Sequence, residues 1–133
     1  MKKSQREAIR LKFNNKCAYC GCELEKGWHV DELLPVRRNW THEYDENKRK
    51  FVKKITGAVH PERFNIDNQN PSCASCNINK HSDSLETFRA NIAAYIKHLN
   101  EISTQYKIAK RYGLIQETNK PVVFYFESRP LDG

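Results

Sequence analysis

The apolar positions of this chain follow two different periods. Leu85, Phe88, Ile92, Tyr95, Ile96, Leu99 and Ile102 recur at steps of three and four, the spacing of one helix face, and predict a helix from Ser84 to about Asn100. Tyr106, Ala109 and Tyr112 continue as a second helical stretch that stops at Gly113. Near the beginning, Ala8, Ile9, Leu11 and Phe13 mark a short amphipathic helix ending near Asn14 and Asn15. Ser4 and Glu7 have the S-x-x-E spacing of a capping box at its start. Elsewhere the period shortens to two. Residues 23–24 and 28–33 read as short strands around a turn at Lys26-Gly27, with Pro35 ending the second. Residues 121–127 (PVVFYFE) read as a closing strand. Residues 36–66 fit both periods: Tyr44, Phe51 and Ile55 suit a helix face, whereas residues 51–56 alternate like a strand, and an exposed second hairpin is the reading adopted. The helical stripes are assigned to core.

Composition narrows what these elements can build. The chain has 133 residues, one domain's length, and only 38% apolar residues, so its core is modest and in need of help. No internal repeat, low-complexity segment or Gly/Ser linker divides it. No apolar run approaches the roughly 18 to 20 residues of a membrane span, and the N-terminal MKKSQREAIRLKF lacks the apolar core of a signal peptide. No membrane partner is expected, and the chain is read as cytoplasmic, where thiols stay reduced. In that setting two Cys-x-x-Cys pairs point to a metal rather than to disulfides. Cys17 with Cys20, and Cys73 with Cys76, complete a tetrahedral four-thiolate shell for structural Zn2+. Gly21 relieves the first turn. The stretch between Cys20 and Cys73 exceeds that of a minimal zinc ribbon, so the metal would pin a sizeable unit at both ends. Cys22 either replaces Cys20 or is a spare thiol; the second is preferred.

The strings WHVDELLP at 28–35 and NQNPSCASCNINK at 68–80 resemble the HNH endonucleases, in the version with a four-cysteine zinc. The resemblance spans roughly residues 17–81. The strings FRANI, KRYGLI and PVVFYFE beyond it are similar to small HNH proteins of bacteriophages. The resemblance implies an α+β fold: a single domain over residues 1–133 with a treble-clef ββα-metal core, followed over residues 84–127 by a helical extension and closing strand. It makes Asp31 and Asn77 ligands of a catalytic Mg2+ or Mn2+. It makes Asn68 the middle Asn of the motif, which ties the loop to the strand and orients the base, and Lys80 a basic residue placed to meet a phosphate. The zinc would hold the strand end bearing Asp31 against the helix start bearing Asn77. The implied reaction is hydrolysis of a DNA phosphodiester bond, one strand at a time, leaving 5′-phosphate and 3′-hydroxyl ends.

One position departs from the family. Where its members carry the general-base His, this chain has Glu32. Imidazole suits the task because it titrates near neutral pH, whereas a glutamate is a weaker base unless burial raises it. Three readings follow: Glu32 acts as the base or binds the metal itself; His29, two residues before Asp31 on the same strand face, supplies the imidazole; or cleavage is lost and a zinc-stabilised DNA-binding or interaction module remains. His42, His60 and His81 are further candidates, and His98 is read as a helix-face residue.

The charge agrees with a nucleic-acid partner. With 23 Lys and Arg against 16 Asp and Glu the net charge is +7. Residues 36–66 carry eight basic side chains against four acidic ones. Arg37 and Arg38 are placed to flank the cleft, and residues 48–54 to form a basic arm along the duplex. No groove-reading module is evident, so the sequence gives no ground for predicting a target site. A bacterial host cytoplasm follows from the phage resemblance, and a homodimer or a phage packaging partner is compatible with it. The biological role stays open among homing, packaging, restriction and host-DNA degradation.

Overall fold

The computed structural model describes residues 1–36 and 38–129; of Arg38 only the backbone is described, and the expectation for Arg37 lies outside the described residues. The fold is mixed α+β. Helix α1 (Lys3–Leu11) leads to the first cysteine pair and strand β1 (His29–Glu32). A long hairpin, β2 (Arg38–Asp45) and β3 (Lys50–Ala58), intervenes, followed by 3-10 turns at Pro61–Arg63 and Ile66–Asn68. Strand β4 (Gln69–Ser72) runs into α2 (Ala74–Lys80), and α3 (Leu85–Ile102), α4 (Thr104–Arg111) and a helical turn α5 (Tyr125–Ser128) complete the chain. Two antiparallel two-stranded sheets result, β1 with β4 and β2 with β3. No helix among the described residues is long and apolar enough to cross a membrane.

Several local expectations are corrected. Helix α1 starts earlier than the Ser4 signal suggested, because Gln5 Oε1 accepts the Lys2 backbone N–H at 3.2 Å. Ser4 therefore lies inside the helix, and Glu7 pairs instead with Arg10, one turn on. Asn14 and Asn15 do end it, both at positive φ (52° and 65°). Residues 23–24 do not pair with β1. They close the cysteine knuckle on itself: Glu23 bridges Lys16, the Leu24 N–H donates to Asn15 O at 2.8 Å, and Cys17 N–H donates to Cys22 O at 2.8 Å. With those groups used, β1 finds its partner in β4, where Val30 faces Pro71 and Asp31 faces Asn70. The expected second hairpin is present as β2–β3.

Gly21 is required twice in the knuckle. Its φ of +77° lies in the left-handed region, and a Cβ there would come within 2.9 Å of the Tyr125 ring. Helix α1 is strapped across the knuckle and β4 by two cations. Lys12 Nζ donates to Ile66 O, Gln69 O and Asn70 Oδ1 at 2.8 to 2.9 Å. The Arg6 guanidinium lies 3.9 Å above the Trp28 ring and donates to Trp28 O.

The core is small and aromatic. Cys17, Tyr19, Leu24, Phe88 and Phe124 are buried, with Trp28, Leu33, Leu85, Ile92, Val122 and Phe126 packed around them. The Tyr19 ring meets Phe88, Phe124 and Phe126 edge-on at 5.6 to 6.2 Å, while Phe88 and Phe124 stack at 5.5 Å. Helix α3 starts where its period predicts, and Ser84 caps it, its Oγ accepting the Thr87 N–H. The core assignment of the α3 stripe holds only for its first half: Phe88 is buried, whereas Tyr95, Ile96 and Ile102 are exposed because nothing in the described chain covers them. The expected closing strand is also corrected. Residues 121–124 form no strand, and the chain that follows bonds the knuckle, with Tyr125 N–H donating to Tyr19 O and Phe126 N–H to Ala18 O at 2.9 Å. Glu127 then accepts the Phe124 N–H and turns the chain into α5. Arg89 clamps this tail through Val122 O and both Glu127 oxygens at 2.7 to 2.8 Å.

Phe124 is thus the point where the tail enters the core. Phe124→Ala is expected to cost about 3–5 kcal/mol, measured as a lower urea midpoint with unchanged slope. A loss below about 1 kcal/mol would mean the tail is an ornament rather than part of the core.

Candidate functional site

The four cysteines converge. Cys17 and Cys20 stand on the knuckle, Cys73 sits at the N-cap of α2 and Cys76 in its first turn. Their sulfurs all lie within 4.8 Å of one another, and Cys20 Sγ is 3.8 Å from Cys73 Sγ. Metal–thiolate bonds of about 2.3 Å in a tetrahedron place sulfurs about 3.8 Å apart, so the cluster fits a single ion such as zinc. The backbone prepares the sulfurs for that role. Tyr19 N–H donates to Cys17 Sγ and Cys76 N–H to Cys73 Sγ, both at 3.4 Å, which favours thiolate. A hydrogen bond from Cys76 holds the Cys17 thiol down to about 4, while the same bond and burial push Cys76 upward. Among the described residues no other set of three or more His, Cys, Asp or Glu gathers so closely. Cys22 is not in the cluster, and burial pushes its thiol up to about 12.

Beside the cluster lies an open cleft of about 670 Å³ lined by Asp31, Glu32, Pro35, Val36, Asn77, Ile78, His81 and Ser82. Strand β1 brings Asp31 and Glu32, α2 brings Asn77, and His81 follows as the residue that caps the end of α2. Asp31 is only 5% exposed. Its Oδ2 accepts from the Tyr19 hydroxyl and from Lys80 Nζ, the latter at 3.1 Å. Both bonds fall on one oxygen, Oδ2. Burial pushes the Asp31 carboxyl above its ordinary value, against the opposing pull of the Tyr19 bond and the Lys80 charge. Burial and the neighbouring Asp31 push the Tyr19 hydroxyl far upward, so it remains a donor.

Lys80 corrects the sequence reading. It was expected to meet a phosphate, but it is fully buried, and its ammonium is held by Asp31 and by Glu32 O at 3.1 Å. Its long stem runs inward from the end of α2 because the buried Asp31 charge needs a partner. Asn68, expected among the candidate catalytic residues to tie the loop and orient the base, is buried. Its Oδ1 accepts Leu34 N–H at 2.8 Å, and its Nδ2 donates to Leu34 O and Arg63 O at 3.0 and 2.9 Å. That ties the loop after β1 to the turn before β4, the tie expected of it.

Of the five histidines, only His81 lines the cleft. His29 is exposed at the start of β1, two residues or roughly 6–7 Å along the strand from Asp31, and does not line the cleft. The His42 ring lies tilted against Trp40 at 4.8 Å, His60 pairs with Glu62, and His98 is exposed on α3. The His81 backbone N–H donates to Asn77 O at 3.0 Å, and its Nδ1 is 2.9 Å from Ser82 Oγ. The i, i+4 spacing from Asn77 was its signal in the sequence. Tyr19 carried no such signal. Comparisons with protein-family models, curated proteins and solved structures returned no match for this chain.

Two outcomes are expected here. Lys80→Met leaves Asp31 buried without its cation and should cost about 3–5 kcal/mol in urea, while Lys80→Met with Asp31→Asn should cost less than the sum of the singles. Additive losses would mean the pair is not coupled. Cys76→Ser should abolish tight binding of one metal equivalent and lower the melting temperature by about 10 °C or more, as should a strong zinc chelator on the unaltered chain.

Proposed function

We propose that this protein is a metal-dependent DNA endonuclease of the HNH kind, with the cysteine knuckle, β1, β4 and α2 forming a zinc-held treble-clef ββα-metal site. The observation that carries this reading is the meeting of Asp31 and Asn77, from separate elements, in one open cleft beside the cysteine cluster that anchors α2 to the knuckle.

The donor set fits a hard divalent cation. Asp31 Oδ1 and the Asn77 side-chain oxygen are the residue atoms that would hold Mg2+ or Mn2+, with Glu32 and His81 at the same wall. When bound, such an ion supplies Lewis-acid stabilisation of charge on the scissile phosphate and the departing 3′ oxygen. The chain's own residues do the rest. Tyr19 and Lys80 fix the Asp31 carboxylate through Oδ2, so that its other oxygen presents a fixed direction. Asn68 holds the loop that follows. His81 takes the proton from the attacking water, replacing the imidazole that the Glu32 position lacks, and its exposed edge then returns that proton to solvent. Glu32 orients the water or completes the cation's ligands. The +7 charge supplies the attraction to the phosphate backbone.

The test is a time course of supercoiled plasmid with the pure chain in Mg2+, Mn2+ or EDTA. Conversion to nicked circles is expected in a divalent metal and not in EDTA. Asp31→Asn and Asn77→Ala should lower the rate by two orders of magnitude or more, and His81→Ala by about 10²–10⁴-fold. His29→Ala should leave it unchanged. No conversion in any metal by a folded chain that still retards DNA would favour the non-cutting binding module, and Glu32→His would then test whether cleavage can be restored.

A further inference from the structure

The β2–β3 hairpin uses almost none of its surface for folding. Its ladder sets Trp40 opposite Ile55, His42 opposite Lys53 and Tyr44 opposite Phe51, so these six side chains share one face. Trp40, Tyr44, Phe51 and Ile55 are 51%, 55%, 69% and 52% exposed. The aromatic groups contact each other: Tyr44 and Phe51 meet at 5.4 Å, Trp40 and His42 at 4.8 Å, and the Lys53 ammonium lies 5.1 Å from the Trp40 ring. An exposed row of rings and aliphatic groups, with His42 and Lys53 set between the two apolar pairs, on a hairpin that is marginal alone marks a surface made for a partner.

Charge identifies that partner's chemistry. Residues 38–58 carry Arg38, Lys48, Arg49, Lys50, Lys53 and Lys54 against Glu43, Asp45 and Glu46, within a chain of net charge +7. Only Lys54 is paired across the described ladder, with Glu43 at 3.4 Å. A second copy would bring like charges together, whereas a nucleic-acid strand brings phosphates to the lysines and flat bases to the rings. In a duplex the base faces are already covered by their neighbours. An unpaired strand offers both.

The root of the hairpin is fixed to the cleft. Pro35 and Val36 line the cleft wall; His60 N–H donates to Val36 O at 3.2 Å, and Arg63 Nη1 donates to Pro35 O at 2.7 Å. Eight residues of β2 reach about 26 Å from that root. We propose that the Trp40–Tyr44–Phe51 face binds an unpaired DNA strand by base stacking and leads it into the cleft, so that the preferred substrate carries a single-stranded segment beside the cut. The second clause rests on the nuclease reading; the binding does not.

The experiment uses the full-length chain carrying Asp31→Asn, with a fluorescein-labelled 20-nucleotide oligo(dT) and a blunt duplex of mixed sequence and equal length. Tighter binding of the single strand, with quenching of tryptophan fluorescence, is expected. Trp40→Leu and Phe51→Leu keep apolar bulk and strand propensity but remove the ring. Each should weaken single-strand binding between about 5-fold and 150-fold while leaving duplex affinity and melting temperature unchanged. Equal affinity for the two DNAs, or Leu variants that bind the single strand as the parent does, would overturn the proposal. So would a dimer in sedimentation that the same substitutions dissolve, since it would assign the face to a second copy. Single-strand preference here, together with an unaltered chain that nicks no plasmid in any metal, would support the binding face and remove the nuclease reading alone.

Discussion

Two opposite charges withdrawn from water together hold the centre of this molecule. Lys80 and Asp31 are buried, and the cost of desolvating them is met by their mutual contact, by the Tyr19 hydroxyl on the same carboxylate oxygen and by the Glu32 carbonyl on the ammonium. These groups come from three segments: the knuckle, β1 and the end of α2. The cysteine cluster joins the knuckle to the beginning of α2. Helix α2 is only two turns long, so its two ends are fixed by different chemistry, thiolates at one and a buried ion pair at the other.

That arrangement explains how so small an apolar core suffices. Tyr19 belongs to both systems, its ring packed among Phe88, Phe124 and Phe126 and its hydroxyl on Asp31. The aromatic cluster that secures the C-terminal tail is therefore one side chain away from the cleft. Asn68 performs a comparable task with three hydrogen bonds, holding the loop from which the β2–β3 hairpin departs. Polar groups do in this fold what a larger domain leaves to hydrophobic burial.

Much of the local geometry was legible in the sequence, though not the α1 cap, and long-range partnership was not. The cysteine spacing, the start and period of α3 and the turn residues Asn14, Asn15 and Gly21 each encode a conformation within a few neighbours. The pairing of β1 with β4 spans the whole hairpin and depends on the knuckle having already used its own backbone groups, which no strand pattern reveals. Lys80 looked like a surface cation because nothing nearby in sequence shows that it points inward. Val122, Phe124 and Phe126 alternate like a strand, yet they do so to reach the core from a segment without a ladder. Asp31 and Asn77 were found by motif, whereas His81 needed the helix to show that it shares their cleft.

The independence of the β2–β3 hairpin has a consequence for how the protein can change over evolutionary time. Both its faces are largely exposed, and its tip is a self-contained turn in which Asp45 Oδ1 accepts the Asn47 and Lys48 N–H groups at 2.9 and 3.0 Å. Residues can be added to or removed from the arm without disturbing the cluster or the cleft. The pleat admits such changes only in steps of two per strand, because a single insertion in each would turn Tyr44 and Phe51 to the face now held by Glu43 and Val52. Descendants of this chain are free to lengthen or shorten their reach by about 6–7 Å at a time while the ring-bearing side keeps its orientation.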